Sequence, residues 1–244
     1  MLPYDLKMDK DGLLYLDDKR IIKQNALHLG NLKVNEYEYF QNSFYRLFNT
    51  NDYILKYSHN PYPKEAIEKT KNMLINLLDK QSLIPNVDFP IGYYNKRHKL
   101  AGLIVRYYQN AVSCDNIIDN GDIEGLGKFY YHDEDSIHNL FLLFNDVLNV
   151  IYEMFENDVY YTDIHPGNIV IVNNKAKVID FDYRYVYFDN KDEILKSIMF
   201  AYNYFLQKFI ENYHLCHNLN DSFTNFEEAK TFTKKLENNI RVLR

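Results

Sequence analysis

The stretch Tyr160–Tyr183 constrains the fold more than any other part of this chain. Ile169–Val172 and Ala176–Ile179 are largely apolar runs, and the turn pair Asn173-Asn174 lies between them. Two such runs around a short Asn-containing loop predict a β-hairpin. The hairpin sets Asn168, at the start of its first strand, beside Asp180, at the end of its second. Asp163 lies five residues before Asn168, on the loop leading in. Two carboxylates and one amide are therefore expected to share a site.

That oxygen set suits phosphoryl transfer. Mg²⁺ is a hard cation that takes oxygen ligands and bridges nucleotide phosphates, and Asn168 and Asp180 supply such oxygens. Asp163 is placed to orient an attacking hydroxyl and accept its proton. A polar hairpin loop of some other α/β protein is the plainer alternative, and it leaves the spacing of the three residues unexplained. In this stretch the chain resembles the protein-kinase-like superfamily, whose catalytic loop H-x-D-x-x-x-x-N is followed by D-F-G. The matching residues are Tyr161, Asp163 and Asn168, then Asp180-Phe181-Asp182. The forms D-I-H-P-G-N and D-F-D are most similar to the aminoglycoside and choline kinase branch. Tyr161 stands where the motif has a mainly structural His, and Asp182 where it has a Gly that is not a ligand. His165 stands where Ser/Thr protein kinases usually have Lys. Two roles remain open for it, bonding the loop backbone or taking part in catalysis.

The resemblance implies an α+β, two-lobed fold. Residues 1–108 would form a β-rich N-lobe with one helix, and residues 109–244 an abridged helical C-lobe carrying the catalytic loop, with ATP bound between them. In such a fold a strand Lys holds the nucleotide phosphates and pairs with a helix Glu. Lys56, inside the run Tyr53-Ile54-Leu55-Lys56-Tyr57, occupies that position, although a lone strand Lys is often just an edge charge. Glu65 and Glu68 are both candidate partners; Glu68 is preferred as one turn further into the helix. The turn Gln41-Asn42-Ser43-Phe44 would cover the phosphates. It has no glycine, but N-S-F-Y-R-L before Y-I-L-K is similar to the small-molecule kinase branch. Backbone groups near Val105–Tyr107 would bind adenine.

The rest of the chain is read from periodicity. Phe40–Tyr57 reads as a hairpin turning at Asn49–Asp52, after a strand-like pattern from Val34. Pro61–Gln81 reads as a helix, with Ala66, Ile67, Thr70, Met73, Leu74, Leu77 and Leu78 at helical spacing. Pro85–Tyr94 and Leu100–Tyr108 read as strands around the polar turn Asn95–His98. Gln109–Asp135 is loop-like with a short helix near Ser113–Ile118. Ser136–Glu156, Asp189–Asn212 and Phe226–Leu243 read as amphipathic helices.

Composition narrows the function classes. The chain has 244 residues, enough for one or two domains, and is 46% hydrophobic. A net charge of −6 argues against a general nucleic-acid binder. Cys114 and Cys216 fit no metal spacing and no disulfide framework. The N-terminus lacks a signal-peptide apolar region, and no apolar run approaches the roughly 20 residues of a membrane span. A cytoplasmic location without membrane contact is expected.

Together these readings predict an ATP- and Mg²⁺-dependent phosphotransferase acting on a hydroxyl acceptor, either a protein Ser/Thr or a small molecule. Asp163 is the expected base, Lys56 and Glu68 the catalytic pair, and Asn168 and Asp180 the metal ligands. Asn42, Ser43, Val105 and Tyr107 join Lys56 around ATP. The rival reading is a pseudokinase, a nucleotide- or protein-binding module without catalysis.

Overall fold

The computed structural model describes residues 4–8, 13–16, 20–23, 42–46, 53–108, 111–119, 136–212 and 223–242. The fold is mixed α+β with mainly antiparallel sheets, and it divides into two compact units, Met1–Tyr108 and Gln109–Arg244. The pattern from Val34, Gln41, the turn Asn49–Asp52 and the stretch 120–135 lie outside the described residues.

The first unit carries a seven-stranded sheet. Its strands are β1 (Tyr4–Met8), β2 (Leu13–Leu16), β3 (Arg20–Lys23), β4 (Asn42–Arg46), β5 (Tyr53–Tyr62), β6 (Gly92–Lys96) and β7 (Lys99–Arg106). Their order is β3-β2-β1-β6-β7-β5-β4, and only β1 and β6 run parallel. β5 pairs with β4 and β7, with Lys56 opposite Phe44 on one side and Leu103 on the other. The β6–β7 turn uses Arg97 and His98 at φ 52° and 61°, the left-handed pair that two-residue hairpins favour.

α1 (Lys64–Lys80) buries the stripe expected of it, from Ala66 to Leu78, and packs on β6 and β7. Each fully buried Leu or Met contributes about 1.5–3 kcal/mol. The helix starts later than its periodicity suggests. Pro63 disfavours helical backbone at Tyr62, so Pro61 and Tyr62 finish β5 instead.

The strand expected over Pro85–Tyr94 is shorter, because only Gly92–Lys96 joins the ladder. Pro85 and Pro90 have no N–H to offer a sheet. Gln81 holds the irregular segment in place of the ladder. Its Nε2 donates to the carbonyls of Ile84 (3.3 Å) and Val87 (2.6 Å), and its Oε1 accepts from Phe89 N (3.2 Å). Val87 and Phe89 are buried beside it.

Gly102 lies in β7 between Tyr57 of β5 and Tyr94 of β6, whose rings meet at 6.1 Å. A Cβ at Gly102 would stand 2.4 Å from the Lys56 carbonyl oxygen and 3.0 Å from Leu55 Cδ1. Glycine in a strand often marks such a close backbone approach. Gly102→Val must push the Lys56 strand away. The expected loss is about 1–3 kcal/mol, the usual range for overpacking, read as a lower urea midpoint.

The second unit is mainly helical. It contains the short strand β8 (Val112–Ser113), α2 (Cys114–Asp119), α3 (Ser136–Glu156), β9 (Tyr160–Tyr161), β10 (Ile169–Val172), β11 (Lys175–Val178), β12 (Val186–Tyr187), α4 (Lys191–Asn212) and α5 (Phe226–Val242). α3 packs against α5, β11 and β9. Phe144 of α3 is fully buried, with ring centroids 5.7, 6.1 and 5.5 Å from those of Phe141, Phe205 and Phe209. Tyr202 Oη of α4 donates to the Phe144 carbonyl at 2.8 Å.

The expected hairpin is present as β10 and β11, paired from Ile169 with Val178 to Val172 with Lys175. Asn173 and Asn174 turn it at φ 49° and 61°. β8 extends this sheet on its other edge, and β9 pairs with β12. No helix among the described residues is long and apolar enough to cross a membrane.

Candidate active site

Thr162–Asn168 links β9 to β10, and its shape follows from local bonds. At its entrance, Thr162 N and Oγ1 both donate to the Tyr185 carbonyl, at 3.0 and 3.3 Å. At its exit, Pro166–Asn168 forms a 3-10 turn in which Asn168 N donates to the His165 carbonyl at 2.9 Å. His165 Nδ1 accepts from Gly167 N at 3.1 Å. Of the two roles left open for His165, backbone bonding is the one its geometry displays. With Nδ1 an acceptor, the ring proton of the neutral imidazole sits on Nε2, which lies 3.9 Å from Asp163 Oδ1. Gly167 leaves room for this packing: a Cβ there would stand 2.6 Å from Asp115 Oδ2 and 3.0 Å from His165 Cε1.

Asn168 is the hub. It is buried, and its Nδ2 donates to Asp163 Oδ2 at 2.9 Å, to the Asp163 carbonyl at 3.0 Å and to Tyr161 Oη at 3.0 Å. Its backbone carbonyl accepts from Ile179 N at 2.9 Å, which places Asp180 at the neighbouring position of the opposite strand. Among the described residues no donor reaches Asn168 Oδ1, so this oxygen is available to a ligand. Asp180 adopts φ 67°, the left-handed region, where a non-glycine residue costs about 1–2 kcal/mol. Asp and Asn bear that conformation best, and side chains held in it cluster at functional sites.

Asp163 is half-buried, and burial raises its carboxyl above the usual carboxylate range. The nearby Asp180 and Asp182 carboxylates push the same way, opposed by His165 and by the Asn168 hydrogen bond. Asp115 of α2 is raised by burial and by Asp119, with His165 acting against both. Asp182 turns away from the pair. Its two oxygens bind the Arg184 guanidinium at 2.9 and 2.8 Å, and Oδ1 also accepts from Arg184 N at 2.9 Å.

Tyr161, read from the sequence as a minor structural residue, has a larger part. It is buried, and its Oη accepts from Asn168 while donating to the Ile179 carbonyl at 3.2 Å, with the Asp180 carbonyl at 3.5 Å. Its ring packs on Phe181 at 5.0 Å. Burial holds the phenol well above its ordinary range, so it stays a donor. Tyr161→Phe leaves buried polar groups short of a partner. We expect a loss of about 1–3 kcal/mol by chemical denaturation, with secondary structure retained.

A cleft of about 1130 Å³ opens beside this loop within the second unit. Asp163 and His165 lie on its loop side, Asp115 and Asp119 of α2 on another wall, and an exposed face of α4 on a third. The α4 residues carry no motif, so no sequence signal marked them.

The remaining expected residues belong to the first unit. Lys56 lies in β5 and is partly exposed, and Val105 lies opposite Ile54 in β7. Tyr107 follows the end of β7. Asn42 and Ser43 were expected in a turn over the phosphates. They instead lie in β4, paired with Ser58 and Tyr57, because the β5 ladder extends past Tyr57. Glu65 and Glu68 are both exposed on α1, and neither forms an ion pair with Lys56 among the described residues. The periodicity of α1 explains this, since both glutamates lie on the face opposite its buried stripe.

The donor set fits a hard divalent cation held with phosphates. Asn168 Oδ1 and the Asp180 carboxylate supply two oxygens, and Mg²⁺ commonly takes one or two protein carboxylates plus substrate phosphates. Among the described residues no group of three His, Cys, Asp or Glu forms a complete protein cage. Comparison of the chain with known protein families and with curated proteins finds no match.

Proposed function

We infer that this chain is an ATP- and Mg²⁺-dependent phosphotransferase of the protein-kinase-like type, acting on a hydroxyl acceptor. One observation carries the reading: a single buried amide, Asn168, binds the Asp163 carboxylate at 2.9 Å and keeps its own oxygen available beside Asp180. Lys56 on a strand followed directly by a helix adds support, as does the order of lysine, catalytic loop and metal-binding aspartate along the chain.

The residues divide the work. Asp163 accepts a hydrogen bond from the acceptor hydroxyl and takes its proton as the oxygen bonds to the γ-phosphorus of ATP, whose bond to the bridging oxygen breaks to release ADP. Asn168 orients that carboxylate through Nδ2. His165 presents Nε2–H toward the other Asp163 oxygen. Asn168 Oδ1 and Asp180 would hold Mg²⁺, which would supply charge neutralisation to the phosphates. Lys56 holds phosphate oxygens. Positioning and charge supply the acceleration, with no covalent intermediate.

A second reading, a binding module without catalysis, is favoured by one observation: neither Glu65 nor Glu68 pairs with Lys56. A thermal-shift titration separates the two. Ligand at a hundred times Kd adds about 2.7 kcal/mol. For a chain of this size that is a rise of roughly 5–10 °C. We expect that rise with ATP and Mg²⁺, its loss with EDTA, and its loss in Asp180→Asn. No rise at millimolar ATP would favour the binding module.

A further inference from the structure

The cleft beside Asp163 has one wall with no partner among the described residues. Along α4, Lys196, Phe200, Tyr204 and Lys208 recur every four residues and line the cleft together. Phe200 is 75% exposed and Tyr204 44%, although the opposite face of the helix is packed with buried aromatics. An apolar ring as open as Phe200 beside a site of this kind marks a contact surface. The only ring or charge partner of these four side chains among the described residues is internal: Lys208 Nζ lies over the Tyr204 ring at 5.1 Å. Among the described residues, neither lysine has a carboxylate within ion-pair distance. The facing wall is acidic, with Asp115 and Asp119 of α2, so the lysines of the cleft are confined to the α4 side.

We propose that the acceptor hydroxyl is carried on an acidic peptide segment lying along this face of α4. Its aromatic or aliphatic residues would cover Phe200 and Tyr204, and its carboxylates would meet Lys196 and Lys208. Size supports a chain over a small molecule. The cleft, at about 1130 Å³, lies open along the helix and is not closed around one small ligand. The stripe from Lys196 to Asn212 runs about 24 Å along the helix. That length is covered by about seven residues of extended peptide. Charge favours an acidic sequence along α4 itself, since the cleft-lining residues of that helix include two lysines and no carboxylate. Aromatic residues and charge complementarity of this kind govern specificity in peptide grooves.

This inference rests on the phosphotransferase reading for its chemistry but not for its binding surface, so the two are tested separately. Binding is measured by fluorescence anisotropy with the full chain. The probes are a fluorescein-labelled peptide with a central serine among glutamates and phenylalanine, and its counterpart with lysine for glutamate. The acidic probe should bind, and the basic one should not. Phe200→Ala should weaken binding about tenfold, and Lys196→Glu with Lys208→Glu should reverse the charge preference. With Mg²⁺ and ATP, the same charge reversal should raise KM for the acidic peptide and leave kcat unchanged. ATP hydrolysis without peptide reports the transfer machinery by itself. Hydrolysis without charge-dependent peptide binding overturns the acceptor assignment and leaves the phosphotransferase standing. Peptide binding without any nucleotide effect does the reverse. Phosphorylation of small alcohols that is indifferent to Lys208→Glu also overturns the assignment.

Discussion

Asp163→Ala should reduce phosphoryl transfer by about 10²–10⁴-fold, the usual worth of a positioned general base, while the thermal shift with Mg²⁺ and ATP persists. The split follows from the geometry: Asp163 faces the acceptor cleft, and the proposed metal oxygens belong to Asn168 and Asp180. Transfer that survives the substitution would falsify the assignment of the base. Stability should move the opposite way in Asp163→Asn. Burial and the Asp180 and Asp182 charges raise the Asp163 carboxyl in the folded chain. Stability from such a group is fully present below its unfolded-state pKa and is lost as pH rises through the folded value. At neutral pH the wild type therefore carries a charge that the fold disfavours. Asparagine removes that charge and can still accept from Asn168. A gain of about 0.5–2 kcal/mol at neutral pH is expected, vanishing in acid, as for other sites where function opposes stability. Urea titrations of both proteins across pH check the sign.

Phe144→Ala should be the most damaging single change in the second unit. The ring is fully buried and touches three other phenylalanines, so its removal leaves a void that neighbours fill only in part. Such substitutions cost about 3–5 kcal/mol. At roughly 2–4 °C per kcal/mol, the melting point should fall by about 6–20 °C. The damage should reach the site. Two residues beyond Phe144 along α3, Asp146 Oδ2 accepts from Ala176 N at 2.6 Å, and Ala176 lies in β11, which leads to Asp180. A lower nucleotide-induced shift is therefore expected in this variant even where it remains folded.

The long helices were legible because their buried residues recur at helical spacing without interruption. The stripe expected of α1 is the buried set in the structure, and α3 ends at Glu156 as its pattern requires. The β10–β11 hairpin was legible through Asn173-Asn174, since few other pairs bear two positive φ angles. Other elements had no local signal. β8, β9 and β12 are two residues each, and they pair only because distant segments bring partners to them. Pro85–Tyr94 misled by composition: only Gly92–Tyr94 join a ladder, and before them the backbone is held by the Gln81 side chain instead. At the site, spacing located Asp163, Asn168 and Asp180, because that arrangement depends on one loop and one hairpin. It could not find Tyr161 as the clasp between them, nor the α4 face, which depends on how helices pack. It also could not place Glu65 or Glu68, since both lie on the face opposite the stripe.

The Asn168 side chain has a consequence for precision. One end of its amide group donates to Asp163, the proposed base, and the other is left for the proposed cation. These two ends are joined by covalent bonds through a single planar carbon. The spacing between the nitrogen that grips Asp163 and the oxygen left for the proposed cation is thus written into bond lengths, and a single hydrogen bond of 2.9 Å completes the reach to the proposed base. Most distances in a folded chain drift with temperature, solvent and neighbouring substitutions, because weak forces set them. Here the most demanding dimension of the site is insulated from that drift, and the surrounding fold has only to keep one flat group from rotating.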